Sequence, residues 1–150
     1  MTLQETQNLF ESLKKRTTEK SEFKVYDQFI DILKKLENRE FTNDEIQSIE
    51  LELDSLKLKS NPENKKKYFK KAISDFKKYL KDSFSLTTRG YYTTFYGGLG
   101  LVFGLLFGVA ILSNLERSLG ISLGLIGGMV VGSIIGRNKD AQAKSTGKML

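Results

Sequence analysis

The sequence predicts an all-α protein in which a small cytoplasmic helical bundle is followed by a two-helix transmembrane hairpin. Three observations carry this expectation. All 13 glycines lie at or after Gly90, 35 of the 42 charged side chains lie in the first 89 residues, and residues 90–114 and 118–136 hold no charge. The first half reads as a chain for water and the second as a chain for hydrocarbon.

The soluble half begins with Thr2 and Glu5 in capping-box spacing ahead of Leu9, Phe10 and Leu13, which marks a helix start. Phe23, Tyr26, Phe29, Ile30 and Leu33 keep a three-and-four spacing, predicting an amphipathic helix of roughly 18 residues. Thr42 and Glu45 make a second capping box before Ile46, Ile49, Leu53 and Leu56. Asn61 followed by Pro62 predicts a fourth start, with proline at the first helical position, where its missing N–H costs nothing. Residues 1–60 therefore form the amphipathic helices of the soluble domain, and residues 61–90 hold a basic juxtamembrane helix.

That fourth helix puts Phe69, Ala72, Ile73, Phe76, Leu80 and Phe84 on one face. Lys67, Lys70, Lys71, Lys77, Lys78 and Lys81 share the other. With Arg89 and Arg137, these lysines are the candidate contacts to anionic lipid headgroups, at roughly 1 kcal/mol per basic side chain near the surface. The same lysines also suit a plain solvated face of a bundle helix.

A hydrocarbon layer of ~30 Å needs about 20 apolar helical residues. Residues 91–113 and 119–136 meet that need, with 114–118 as the turn and 137–150 as a basic cytoplasmic tail. Eighty-nine polar-rich residues could not wrap two helices that are apolar on every face, so the partner of the spans is a lipid bilayer with an anionic leaflet. Residues 62–90 carry nine Lys or Arg against three acids and the tail after Gly136 carries four against one. This bias places both termini in the cytoplasm, and the expected location is a bacterial inner membrane. Tyr91, Tyr92, Phe95 and Tyr96 form the interfacial aromatic cluster. Residues 1–20 lack the apolar stretch of a secretory signal.

Within the second span, Gly120, Gly124, Gly128, Gly132 and Gly136 recur at every fourth position, and the first span carries Gly100, Gly104 and Gly108. In water each glycine would weaken a helix by about 1 kcal/mol relative to alanine. In lipid, small residues four apart let two backbones approach. These stripes resemble the glycine-zipper class of membrane proteins over residues 97–136. The resemblance implies close transmembrane packing, often in homo-oligomers and sometimes in pores. Closing the hairpin alone is expected to use three glycines per helix, leaving Gly120 and Gly136 without partners and Gly127 as a further small residue, which favours association between copies.

Several functions recede on composition. The chain has no histidine and no cysteine, so imidazole acid–base chemistry, thiolate nucleophiles and the usual zinc ligands are missing. No P-loop or nucleophile elbow is present, so no catalytic residue, metal or cofactor is expected. Residues 1–61 carry ten basic and thirteen acidic groups, and no nucleic-acid motif accompanies the local basic excess. Thr93, Thr94, Ser122 and Ser133 are the few polar candidates to line water. The leading expectation is a non-enzymatic membrane protein that self-associates through its glycine stripes, as a membrane-perturbing or triggered pore-forming effector of the bacterial toxin or phage-defence type. The alternative is an adaptor or scaffold subunit that tethers a cytoplasmic protein partner to the membrane.

Overall fold

The computed structural model describes residues 1–110 and 117–150. It is all-helical, in the order α1 (Leu3–Arg16), α2 (Lys20–Glu37), α3 (Asn43–Ser55), α4 (Lys65–Phe84), α5 (Tyr91–Ala110) and α6 (Arg117–Ser145). The chain divides into two units, Met1–Leu86 with Leu150, and Thr87–Met149.

In the first unit, α2 packs on α1 and α4, and α4 also packs on α3. Both expected capping boxes form. The Thr2 and Thr42 hydroxyls accept from the Glu5 and Glu45 amides, and each glutamate carboxylate accepts from the cap residue's own N–H. The core is aromatic at its centre. Phe10 stacks on Phe29 at 4.2 Å between ring centroids, Phe29 stacks on Phe76 at 5.7 Å, and Phe69 meets Phe10 and Tyr26 edge-on at 5.5 and 5.4 Å. Leu33, Leu36, Ile49, Leu53 and Leu80 complete it, together with Leu150 from the far end of the chain.

Two sequence expectations are corrected here. The fourth helix starts at Lys65, not at Pro62, because Asn64 is its N-cap and its Oδ1 accepts from the Lys67 amide at 2.9 Å. Phe23, expected on the apolar face of α2, is 43% exposed, and the Lys14 ammonium sits 4.5 Å above its ring. Phe69, Ala72, Ile73, Phe76 and Leu80 are buried within the bundle, so the apolar face of α4 is occupied by protein.

The second unit is the antiparallel pair α5 and α6, both long and apolar enough to cross a membrane. The expected turn at 114–118 and the end of the first span at 111–113 fall mainly on residues outside the described ones, and Arg117 and Ser118 already belong to α6. The expected tail is corrected as well: α6 continues nine residues past Gly136 to Ser145. It then ends in a Schellman-type turn. Gly147 adopts φ 69°, the Lys148 N–H donates to the Ala143 carbonyl at 2.8 Å, and the Lys148 carbonyl accepts from the Thr87 N–H at 2.9 Å. Thr87 and Met149 thereby form an isolated parallel bridge.

Candidate helix-packing interface and basic face

The glycine stripe of α6 faces α5 along the pair, meeting Gly100, Gly104 and Gly108 over part of the contact. A Cβ added at Gly128 would strike the Gly100 carbonyl and lie 2.7 Å from the Gly104 Cα. At Gly124 it would lie 2.8 Å from the Gly108 Cα, at Gly132 3.2 Å from the Gly100 Cα, and at Gly136 2.7 Å from the Thr93 amide nitrogen. From the other side, a Cβ added at Gly104 would strike Gly124 and Gly128, and one added at Gly108 would lie 2.6 Å from the Gly120 carbonyl oxygen. Non-bonded atoms do not come this close, so any side chain here would push the backbones apart.

This geometry corrects the expectation that Gly120 and Gly136 lie beyond the reach of the hairpin's own packing. The helices stay in contact over five levels, because the first helix contributes Tyr96 and Thr93 where its glycines run out. Gly127 does stand apart, with open space around it, as does Gly98.

Asp140 extends the same every-fourth register one step beyond Gly136, and it is buried. Its carboxylate accepts from the Tyr92 and Thr93 amides, both at 3.1 Å, and from the Thr93 hydroxyl at 2.6 Å. The residue before α5 is Gly90, at φ 78°, which has no side chain to cap the helix. Asp140 supplies that cap from the neighbouring helix, placing negative charge at the positive end of the α5 dipole. Nothing in the sequence reading singled out Asp140. The available signal was its place in the register.

Of the four polar side chains considered as pore lining, three have neighbours within the chain and Thr94 is exposed. Thr93 donates to Asp140, Ser122 donates to the Ser118 carbonyl at 2.9 Å, and Ser133 lies against Gly97. Tyr91, Tyr92, Phe95 and Tyr96 occupy the first turns of α5 and contact one another edge-on, tilted or stacked, with centroids 5.2 to 6.4 Å apart.

On α4, Lys67, Lys70, Lys71 and Lys78 are exposed, whereas Lys77 and Lys81 are half-buried. Burial lowers the Lys77 pKa from the ordinary lysine value. Arg89 and Arg137 are exposed, but they sit in the second unit and the lysines in the first. Among the described residues no three acidic side chains converge to hold a metal ion.

No family model matches the chain, and neither a curated protein nor a solved structure shows significant similarity to it.

Proposed function

We propose that this chain is a non-enzymatic membrane protein whose α5–α6 pair is an anchor, tethering the helical domain and its partner protein at the cytoplasmic face. The observation that carries the proposal is that seven of the eight in-register glycines have no room for a Cβ against the facing helix of the same chain, and the eighth, Gly120, presents its carbonyl to Gly108. In lipid, helices associate through packing, not through the hydrophobic effect. A stripe already filled within one chain leaves less packing energy for joining copies. The Asp140 cap closes the same pair at its other end. Exposed lysines on α4, together with Arg89 and Arg137, supply the basic charge that retains both termini in the cytoplasm and attracts an anionic leaflet.

A second reading, self-association into a membrane-perturbing assembly, is favoured by Gly98 and Gly127, which stand open. Subunit counting by stepwise photobleaching in native membranes separates the two. An anchor gives single bleaching steps and purifies with a stoichiometric second protein. An effector gives multiple steps, and it makes liposomes leak in a manner that Gly127→Leu abolishes.

A further inference from the structure

We infer that the helical domain carries a binding site for a small phosphorylated molecule, in the cleft between the α1–α2 connection and the α3–α4 connection. The cleft lies wholly within the first unit and has a volume of about 580 Å³, within the range of small-molecule sites. Leu13, Leu58 and Phe69 supply its apolar floor, and Arg16, Lys59 and Lys65 contribute positive charge to its lining.

Both connections are fixed in place before any ligand arrives. On one side, Thr17 Oγ1 donates to Glu22 at 2.8 Å and accepts from the Glu19 amide at 3.3 Å, while the buried Tyr26 hydroxyl also donates to Glu22. On the other, the Tyr68 hydroxyl lies 2.9 Å from the Leu56 carbonyl, 3.0 Å from the Lys57 carbonyl and 2.7 Å from Ser60 Oγ. Lys57 itself is held at φ 49°, a left-handed conformation that lysine adopts only when its surroundings impose it. A connection pinned this firmly, with a strained residue beside the cleft, is preorganised.

The charges point to the ligand. Arg16, Lys59 and Lys65 make no ion pair among the described residues. Lys65 also opens α4, whose first turn contains no acid, so the helix dipole adds to the positive potential instead of opposing it. Of the two acids lining the cleft, Glu22 is engaged by Thr17 and Tyr26, and Glu19 is exposed at the rim. Asn61 stands beside the cations as a further hydrogen-bond donor, whereas the Ser60 hydroxyl is engaged by the Lys57 carbonyl and Tyr68. A phosphate monoester, with close to two negative charges and three acceptor oxygens, matches such a set, and an arginine can bind it bidentately. Its organic body would rest on the apolar floor. The site is independent of the anchor reading, since it needs neither α5 nor α6.

Phosphate of this kind reaches a protein either as a soluble metabolite or as a lipid headgroup, so the test has two arms, both using the full chain in phosphatidylcholine nanodiscs at about 0.15 M salt. In the first, AMP is titrated by calorimetry. In the second, the nanodiscs contain phosphatidic acid, and protection of Lys59 and Lys65 from amine labelling is read by mass spectrometry. Saturable 1:1 binding of AMP, or protection specific to phosphatidic acid, supports the site and identifies the source. The variant Arg16→Ala with Lys59→Ala should weaken the positive arm at least tenfold. The control Lys24→Ala with Lys34→Ala removes equal charge from exposed positions on α2 and should change it less than twofold. Absence of a signal in both arms, or equal loss in both double variants, overturns the proposal.

Discussion

A carboxylate one turn beyond the last glycine of α6 takes over the N-terminus of α5. Asp140 was not legible in the sequence because its partners lie 47 and 48 residues away, and no local rule links an aspartate to a helix that distant in the chain. The Thr2 and Thr42 caps were legible because each is complete within four residues. Charged hydrogen bonds of this kind contribute about 1.5–3 kcal/mol each, and leaving buried donors unpaired is costly. Asp140→Ala should therefore raise hydrogen exchange at the Tyr92 and Thr93 amides at least tenfold, measured in micelles, while Asp140→Asn should retain part of the protection. Tyr26 gives a second test. Burial, followed by the Glu22 charge and hydrogen bond, pushes its phenol up to about 12, against about 10 in an unfolded chain. Below pH ~10 both states hold the proton and the contribution is fully present. As pH rises toward 12 the unfolded chain loses its proton first, so stability falls by up to about 1.4 kcal/mol per unit. Denaturant titrations between pH 9 and 12 should show this slope in the native chain and a flatter one in Tyr26→Phe.

Among the elements, the helices and most of their buried faces followed from periodicity, while two boundaries did not, the start of α4 and the end of α6. Asn61–Pro62 and Asn64 both offer a start within four residues. The choice of Asn64 reflects tertiary structure, since Tyr68 ties the preceding connection back to the end of α3. Phe23 kept helical spacing yet lies outside the core, because the edge of an apolar stripe can be covered by a lysine as readily as by the protein interior. For α5 and α6 the glycine spacing was plain in the sequence. Its depth of engagement was not, because one needs to know that Tyr96 and Thr93 of α5 continue the contact past Gly100. Gly128 stands at the centre of that contact, so Gly128→Leu must separate the two backbones, an overpacking cost of about 1–3 kcal/mol or more. Spin labels placed on α5 and α6 should report a wider interhelical distance in this variant. By contrast Gly127→Leu, which meets open space, should leave the distance unchanged.

At the scale of the whole molecule, the division into a charged half and a glycine-rich half recurs as two structural units, and Leu150 belongs to the core of the first. Composition could reveal that division because the demands of water and hydrocarbon on a helix surface are opposite. It could not reveal the cleft, which forms only when two connections some 40 residues apart in sequence come together around Tyr26 and Phe69. The central claim is that the glycine stripes pack within one chain, and a disulfide tests it directly because the native sequence has no cysteine. A Cβ at Gly97 would lie 3.3 Å from the Ser133 Oγ, close to the separation that a disulfide bridges. The double variant Gly97→Cys with Ser133→Cys can be co-expressed with two different epitope tags and oxidised in membranes. Packing within the chain predicts loss of both free thiols at monomer mobility, with no species carrying both tags. Disulfide-linked dimers carrying both tags, alongside unlinked monomer, would contradict it.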